Sequence, residues 1–376
     1  MQTKFSQAIF HRVVLVSALT LCLSLLLTEL YIRFFSPTGY ITPQILKERG
    51  LEFVPVVSKG ILQAKAQEGT NSTGARLHVN SKGYRGREFE FEKSPGTIRI
   101  VFYGGSSVFD IGVSDPKDWP HRVEAILHQG GFFQVEVINA GVPGLHSIGA
   151  LENFLTEGYR LKPDYAVMYC SWNDIGYFSY EKSLLRMLPN EIRPVPLYEY
   201  QNFFDRWLCE ISQLYVRLRY RYFMWNNSIG MEGRNPEGPP TEKINEEMLF
   251  QYRLSLETFA DVVRNAGAVP VFMTEARLVT SNNSVEEKNK IRYEFQSLSP
   301  HSLVRAFEMA DKIVLETAAG KKAPVITASS LLTGKDHFFI DHVHLNREGS
   351  EALAAYTAKA FAELLKHRSS EARVGQ

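Results

Sequence analysis

Four short blocks of the sequence carry side chains that could do chemistry together. They read Gly104-Gly105-Ser106-Ser107, Asn139-Ala140-Gly141-Val142-Pro143-Gly144, Ser171-Trp172-Asn173-Asp174 and Asp341-His342-Val343-His344. A serine hydroxyl is a weak nucleophile near neutral pH and needs a base within hydrogen-bond reach. An imidazole can be that base when a carboxylate orients it. Backbone N–H groups in glycine turns and a side-chain amide can donate to a developing oxyanion. Together the blocks contain the parts of a nucleophilic acyl-transfer site.

Each block taken alone also has a simpler interpretation. Two glycines and a serine after a strand can form a plain turn with a helix cap, and an asparagine at such a place can form an Asx-turn. The first block is not a phosphate-binding motif, because neither G-x-G-x-x-G nor GK[ST] is present. Asp341, His342 and His344 could be metal ligands. No complementary His or Cys cluster occurs elsewhere in the sequence, so we expect neither a metal nor a cofactor.

An alternation of apolar strands and amphipathic helices must bring the blocks together. The expected strands are residues 97–103, 134–140, 165–170, 269–274 and 324–328, and the expected helices are 119–128, 147–161, 243–265, 303–317 and 348–365. Strands that are apolar throughout indicate a parallel sheet covered on both faces. We therefore predict an α/β domain with three layers and a flavodoxin-like parallel sheet. Sites in such sheets lie beyond the carboxyl ends of the strands, where the first three blocks begin.

In their order and spacing the four blocks resemble the SGNH (GDSL-type) hydrolases, a family of serine esterases and lipases. The resemblance covers about residues 78–366 and is to the subgroup with GGSS at the first block. It implies the SGNH fold. It also implies that Ser106 is the nucleophile, that His344 is the general base and that Asp341 orients His344.

The resemblance further implies an oxyanion hole, formed by the backbone N–H groups of Ser106 and Gly144 and the side-chain amide of Asn173. Two residues depart from the usual family pattern. Gly105 stands where an acidic residue is usual, and Ser171 stands where the third block often has glycine. Neither change removes a catalytic group.

Two neighbouring residues are rivals for the catalytic roles. Ser107 and His342 have the same side chains as Ser106 and His344, and only the register of the motifs decides against them.

The activity that follows from the resemblance is ester hydrolysis. We expect carboxylic O-acyl esters, O-acetyl esters among them, carried by a small molecule or a polysaccharide. An acyltransferase would use the same residues to pass the acyl group to a sugar hydroxyl. A catalytically silent domain that keeps the fold is a third alternative. Product analysis with a polysaccharide acceptor would separate the first two.

The N-terminus contains an apolar run without charged residues from Val13 to Thr28. Extended to residue 32, the run has about 20 residues, which suits the hydrocarbon core of a bilayer. We expect a tail at residues 1–12 and an uncleaved single-pass anchor at 13–35, with the bulk of the chain outside the cytoplasm. The alternative is a cleaved signal peptide, but no A-x-A-like site follows the run.

The rest of the chain is divided by composition. We expect a connector at residues 36–77, the hydrolase domain at 78–366 with an insert at about 181–242, and a C-terminal tail at 367–376. The insert contains an aromatic and arginine-rich stretch at 203–225. This stretch could cover the active site, lie on the membrane, or pack on the core.

Charge and cysteine content exclude some classes of protein. The 42 Lys and Arg residues balance 41 Asp and Glu residues, which argues against nucleic-acid binding through bulk charge. Three cysteines cannot form a disulfide framework.

Overall fold

The computed structural model describes most of the chain in two compact units. The described residues are 2–35, 56–58, 61–63, 67–70, 74–179, 202–229, 241–291, 293, 296 and 298–374. One unit comprises Met1–Lys47 and Val195–Met231, and the other comprises Glu48–Pro194 and Glu232–Gln376. Much of the expected connector at 36–77 and of the expected insert at 181–242 lies outside the described residues.

The larger unit is built on a parallel sheet of five strands. They are β1 (Ile98–Gly104), β2 (Val135–Gly141), β3 (Tyr165–Tyr169), β4 (Val269–Met273) and β5 (Val325–Ile326). The strand order is β2-β1-β3-β4-β5, and every neighbouring pair is parallel. This is the flavodoxin-like order of doubly wound sheets. Two antiparallel hairpins precede the sheet, Val56–Ser58 with Ile61–Gln63 and Gln67–Thr70 with Arg76–Val79.

Helices make up most of the remaining described structure. They are α1 (Gln2–Phe35), α2 (Ser106–Phe109), α3 (Trp119–Gln129), α4 (Ser147–Thr156), α5 (Trp172–Ile175), α6 (Phe203–Ile211), α7 (Gln213–Ile229), α8 (Glu246–Asn265), α9 (Val285–Lys290), α10 (Pro300–Gly320), α11 (Ala328–Leu332) and α12 (Arg347–Val374). Two 3-10 turns, Gly158–Leu161 and Asp336–Phe338, complete the set.

Helices cover both faces of the sheet. Successive side chains of a strand point to opposite faces, so Phe102 and Tyr103 of β1 contact the helices on opposite sides of the sheet. The ring of Phe102 packs against Trp119 of α3 and Phe361 of α12, at centroid distances of 4.8 and 6.0 Å. The ring of Tyr103 packs against Phe259 of α8 at 5.9 Å. The predicted α/β class with three layers is confirmed.

The expected strands and helices are all present, but some of their ends differ. The strand expected over 324–328 is limited to Val325–Ile326, and Ala328 begins α11. The helix expected over 147–161 ends at Thr156 and is followed by a 3-10 turn. The break lets Gly158 approach the hydroxyl of Tyr103, with which a Cβ at that position would collide. The final helix continues to Val374 rather than 365.

The smaller unit begins with α1, whose helix includes residues of the expected N-terminal tail. Its segment Phe10–Phe35 is long and apolar enough to cross a membrane, with a mean hydropathy of 2.3. This assignment rests on the length and composition of the helix, and an N-terminal signal sequence would share both.

Candidate active site

Ser106 lies at a sharp turn from strand to helix. Strand β1 ends at Gly104 and α2 begins at Ser106, so the serine stands beyond the carboxyl end of a buried strand. The turn needs glycine, because a Cβ at Gly104 would collide with the carbonyl oxygen of Tyr169. As the first residue of a helix, Ser106 has an N–H without a partner inside that helix. Its side chain is half-buried, whereas Ser107 is buried.

Two short hydrogen bonds join the serine, a histidine and an aspartate. Ser106 Oγ lies 2.7 Å from His344 Nε2, and His344 Nδ1 lies 2.7 Å from Asp341 Oδ2. The other carboxylate oxygen of Asp341 accepts the backbone N–H groups of Val343 at 3.1 Å and His344 at 2.9 Å. The tight turn therefore fixes the carboxylate. With the proton of the neutral imidazole on Nδ1, Nε2 is the acceptor that faces the serine hydroxyl.

The neighbouring carboxylate of Asp341 makes His344 a stronger base. Burial of His344 lowers its pKa, but the hydrogen bond and negative charge of Asp341 outweigh burial, so the pKa of His344 lies above its usual value. Burial raises the pKa of Asp341, and the His344 hydrogen bond reverses this and holds that pKa well below its usual range. Asp341 is therefore ionised throughout the physiological range, as an orienting carboxylate must be.

This electrostatic arrangement predicts a pH profile. Only neutral His344 can accept the serine proton, so kcat/KM should fall as pH drops through the raised pKa of His344. The acid limb should therefore lie above the ordinary histidine value of about 6.5. Asp341→Asn removes the stabilising charge, and in this variant the limb should move to lower pH while kcat falls. An acid limb at the same pH in both proteins would show that His344 is not the titrating group.

The two sequence rivals take other partners. The hydroxyl of Ser107 donates to Glu275 Oε1 at 2.6 Å. The ring of His342 lies on the indole of Trp172, with a centroid distance of 4.0 Å and an angle of 30° between the planes. The ring of His342 also lies near Asp341 and His344, with Nδ1 3.7 Å from Asp341 Oδ1 and a centroid distance of 5.7 Å to His344. It is His344 Nε2, however, that faces Ser106 Oγ.

A metal at this turn would compete with the hydrogen bonds just described. One possible ligand atom each from Asp341, His342 and His344 lies within 4.8 Å of the others. However, both ring nitrogens of His344 are already engaged, one by Asp341 and one by Ser106. A metal bound to His344 would have to replace one of them. The residues fit a nucleophile, a base and an orienting acid better than a metal site.

Possible oxyanion donors surround the same turn. Asn173 lies in α5, directly after β3, and its Nδ2 donates to the carbonyl of Leu145 at 2.8 Å. Leu145 follows Gly144, which has a positive φ of 82° that favours glycine. Among the described residues, the backbone N–H groups of Ser106 and Gly144 make no hydrogen bond. These N–H groups therefore remain available to a ligand.

Steric contacts explain why the residue before Ser106 is a glycine, Gly105. A Cβ at Gly105 would lie 2.5 Å from Asn173 Nδ2 and 3.0 Å from the carbonyl oxygen of Leu145. The amide of Asn173 therefore occupies the space beside Gly105, and a side chain at position 105 would displace it.

A small substitution at this glycine should thus affect catalysis. Gly105→Ala should push the Asn173 amide aside and lower kcat by about 10-fold or more, up to the roughly 10²–10³-fold that complete loss of one oxyanion donor costs. The measurement is steady-state hydrolysis of an activated ester, with circular dichroism as the control for folding. Unchanged kcat in a folded variant would contradict this position of Asn173.

Glu275 is a site residue whose role the sequence analysis missed. Its buried carboxylate accepts the hydroxyl of Ser107, the N–H of Ser171 at 2.9 Å, the hydroxyl of Ser171 at 2.7 Å and the N–H of Trp172 at 2.6 Å. It thereby ties the first block to the third. The only local signal is an acidic residue just past the end of β4. The hydroxyl of Ser171 supplies a donor that a glycine at this position would lack.

Asp174 joins the third block to the start of α4, three residues after the second block. Its carboxylate accepts the hydroxyl of Ser147 at 2.6 Å and the N–H of Ser147 at 3.1 Å, at the first residue of α4. Burial raises the pKa of Asp174 to about 7, although the Ser147 hydrogen bonds oppose this. The contact holds the loop containing Gly144 next to α5.

The buried side chain of Arg85 contacts the segment that follows Ser106. Arg85 donates to the carbonyl oxygens of Phe109, the last residue of α2, and of Asp110 and Val113, which follow that helix. Its Nε also lies 2.7 Å from a carboxylate oxygen of Asp115. Five donors in a rigid fork suit guanidinium for such a task. The segment after Ser106 is therefore held by side-chain contacts as well as by α2.

Comparison with known proteins gives distant structural matches. No family model matches the chain, and no curated protein matches it in sequence. Among solved structures, the acetyl xylan esterase AlAXEase is similar with 13% identity and a TM-score of 0.43, over 70% of this chain and 99% of that chain.

Two further solved structures match at the same level. A lipase/acylhydrolase from Enterococcus faecalis has 18% identity and a TM-score of 0.41, over 70% and 94% of the two chains. A putative lipolytic protein of the G-D-S-L family from Desulfitobacterium hafniense has 10% identity and a TM-score of 0.41, over 70% and 99%. At these identities and TM-scores we draw no conclusion about activity from the matches.

Proposed function

We propose that this protein is a serine esterase of the SGNH type that hydrolyses carboxylic O-acyl esters. One observation carries the proposal, the chain of two 2.7 Å hydrogen bonds from Ser106 through His344 to Asp341. A half-buried serine hydroxyl hydrogen-bonded to a half-buried imidazole–carboxylate pair is the arrangement that activates a serine nucleophile. The amide of Asn173 and the backbone N–H groups of Ser106 and Gly144 are the proposed oxyanion donors.

The proposed reaction has two halves. In the first, His344 Nε2 accepts the proton of Ser106 as Oγ bonds to the ester carbonyl carbon, and the oxyanion forms among its donors. The tetrahedral intermediate then expels the alcohol, which takes the proton from His344. In the second half, water attacks the acyl group on Ser106, gives a proton to His344, and the acid leaves as Ser106 recovers that proton.

The proposed substrate is an O-acyl ester, an O-acetyl ester included, on a small molecule or a polysaccharide. We further propose that α1 is an uncleaved single-pass membrane anchor and that the catalytic residues lie outside the cytoplasm. The length and hydropathy of Phe10–Phe35 support the anchor. Mass spectrometry of the protein from membranes tests the anchor, because a cleaved signal peptide would remove this segment.

An experiment in which water and a sugar hydroxyl compete as acyl acceptors tests the proposed activity. The full chain in detergent is incubated with acetylated xylo-oligosaccharide, with and without an unacetylated oligosaccharide, and free acetate and acetylated products are quantified. Ser106→Ala serves as the control. Free acetate that depends on Ser106 supports hydrolysis. Acetyl transfer to the oligosaccharide would instead indicate an acyltransferase, and neither product from a folded chain would indicate a silent domain.

A further inference from the structure

Helix α6 presents an apolar face that no described residue of its own unit covers. This face, here called the interfacial face, consists of Phe203, Phe204, Trp207 and Ile211, with exposures of 74, 69, 48 and 45%. At 100° per residue these four side chains occupy about one third of the helix circumference. The nearly opposite side of the helix carries buried side chains, among them Cys209.

The orientation of α6 is set by its contacts with α7. Asp205 of α6 is buried and pairs with Arg219 of α7, with N···O distances of 2.7 and 2.9 Å. The hydroxyl of Tyr215 donates to the same carboxylate at 2.8 Å. Turning α6 over would expose this network and bury four apolar side chains in its place. The interfacial face therefore points outward because the polar face is committed to α7.

The junction of α6 and α7 is joined to the C-terminal end of α1. The carboxylate of Glu29 accepts the N–H groups of Gln213 at 2.8 Å and Leu214 at 2.9 Å, in the first turn of α7. Arg33 donates to the carbonyl oxygen of Ile211, the last residue of α6, at 2.5 Å. Two side chains one turn apart on α1 thus satisfy the free ends of two helices.

The position of this junction along α1 defines its depth in a bilayer. Segment Phe10–Phe35 is about 39 Å long at 1.5 Å per residue, which exceeds a hydrocarbon core of about 30 Å. Glu29 and Arg33 lie in its last two turns, where polar side chains reach the lipid headgroups. Tyr31 there is exposed, and tyrosine is enriched at membrane interfaces.

We propose that α6 lies on the membrane surface, with its interfacial face inserted between lipid headgroups and acyl chains beside α1. The inference rests on the proposed insertion of α1. The partner is the bilayer, because the contacts of Glu29 and Arg33 hold α6 at the level where α1 leaves the hydrocarbon core. Aromatic and aliphatic side chains at such spacing are those of interfacial helices, which bury their apolar face roughly 5–10 Å deep.

Depth-dependent quenching of Trp207 tests the proposal. The full chain is reconstituted in phosphatidylcholine nanodiscs whose acyl chains are brominated either near the headgroup or near the tail end. Fluorescence loss is compared for the wild type and Trp207→Phe, because the difference between them removes the contribution of the other tryptophans. We expect a loss that is larger with shallow bromine and that is removed by Trp207→Phe. The emission of Trp207 should also be shifted to shorter wavelength.

A variant in which the tryptophan is moved by one residue along α6 is the matched control for the quenching of Trp207. The double variant Arg206→Trp with Trp207→Phe moves the indole about 100° around the same helix, away from the interfacial face. Its quenching should be weaker than that of Trp207. Equal quenching in the wild type and Trp207→Phe would overturn the proposal, as would a Trp207 shielded from water yet unquenched, since protein would then cover the face. A chain that does not enter nanodiscs would refute the insertion of α1 itself, while ester hydrolysis would remain measurable.

Discussion

Ser106→Ala should lower kcat for ester hydrolysis by about 10⁴-fold or more and leave the fold intact. Loss of the hydroxyl removes the nucleophile, while the half-buried position tolerates a smaller side chain. The measurement is steady-state hydrolysis of p-nitrophenyl acetate by the full chain, with circular dichroism on the same samples.

Ser107→Ala is the matched control for this result. The two serines are adjacent, but the hydroxyl of Ser107 donates to Glu275 and does not face His344. We expect a loss of stability of about 1–3 kcal/mol, from one missing donor to a buried carboxylate, and retention of most activity. The reverse order of effects would move the nucleophile to Ser107 and contradict the geometry described above.

Asn173→Ala should lower kcat by about 10²–10³-fold, equivalent to about 2.7–4 kcal/mol, with little change in KM. The amide lies against the turn before Ser106, and its donor strength matters most when charge develops on the substrate oxygen. Steady-state kinetics on the same ester separate kcat from KM.

Asn173→Asp sharpens this test. The aspartate has nearly the same shape but replaces the donating amide with a carboxylate that only accepts. It should therefore lose at least as much activity as Asn173→Ala. If either variant turned over at the wild-type rate, Asn173 would not belong to an oxyanion hole.

The sheet and the site blocks could be predicted because their signals are local. Apolar strand runs such as residues 97–103 and the turns that follow them are visible within a few residues of sequence. Parallel topology then requires the strand ends to meet at one edge, which is where Ser106 and Asn173 lie. Asp341 and His344 are only three residues apart, so one turn was enough to bring them together.

The remaining parts depend on contacts between distant residues. Glu275 meets Ser107 and Ser171 across 168 and 104 positions of sequence, and no local pattern marks such a contact. The junction of Glu29 with the start of α7 spans 184 positions to Gln213. The steric need for glycine at position 105 likewise comes from a distant side chain, that of Asn173 in α5. Packing determines these features, and packing cannot be read from the sequence of one segment.

Labelling with a fluorophosphonate tests the central claim most directly. The probe reacts with serine hydroxyls that are activated by a base, and peptide mass spectrometry identifies the labelled residue. The full chain in detergent should be labelled at Ser106, and His344→Ala should lose the label because Nε2 no longer accepts the serine proton. Labelling at another residue, or none in a folded chain, would contradict an activated Ser106.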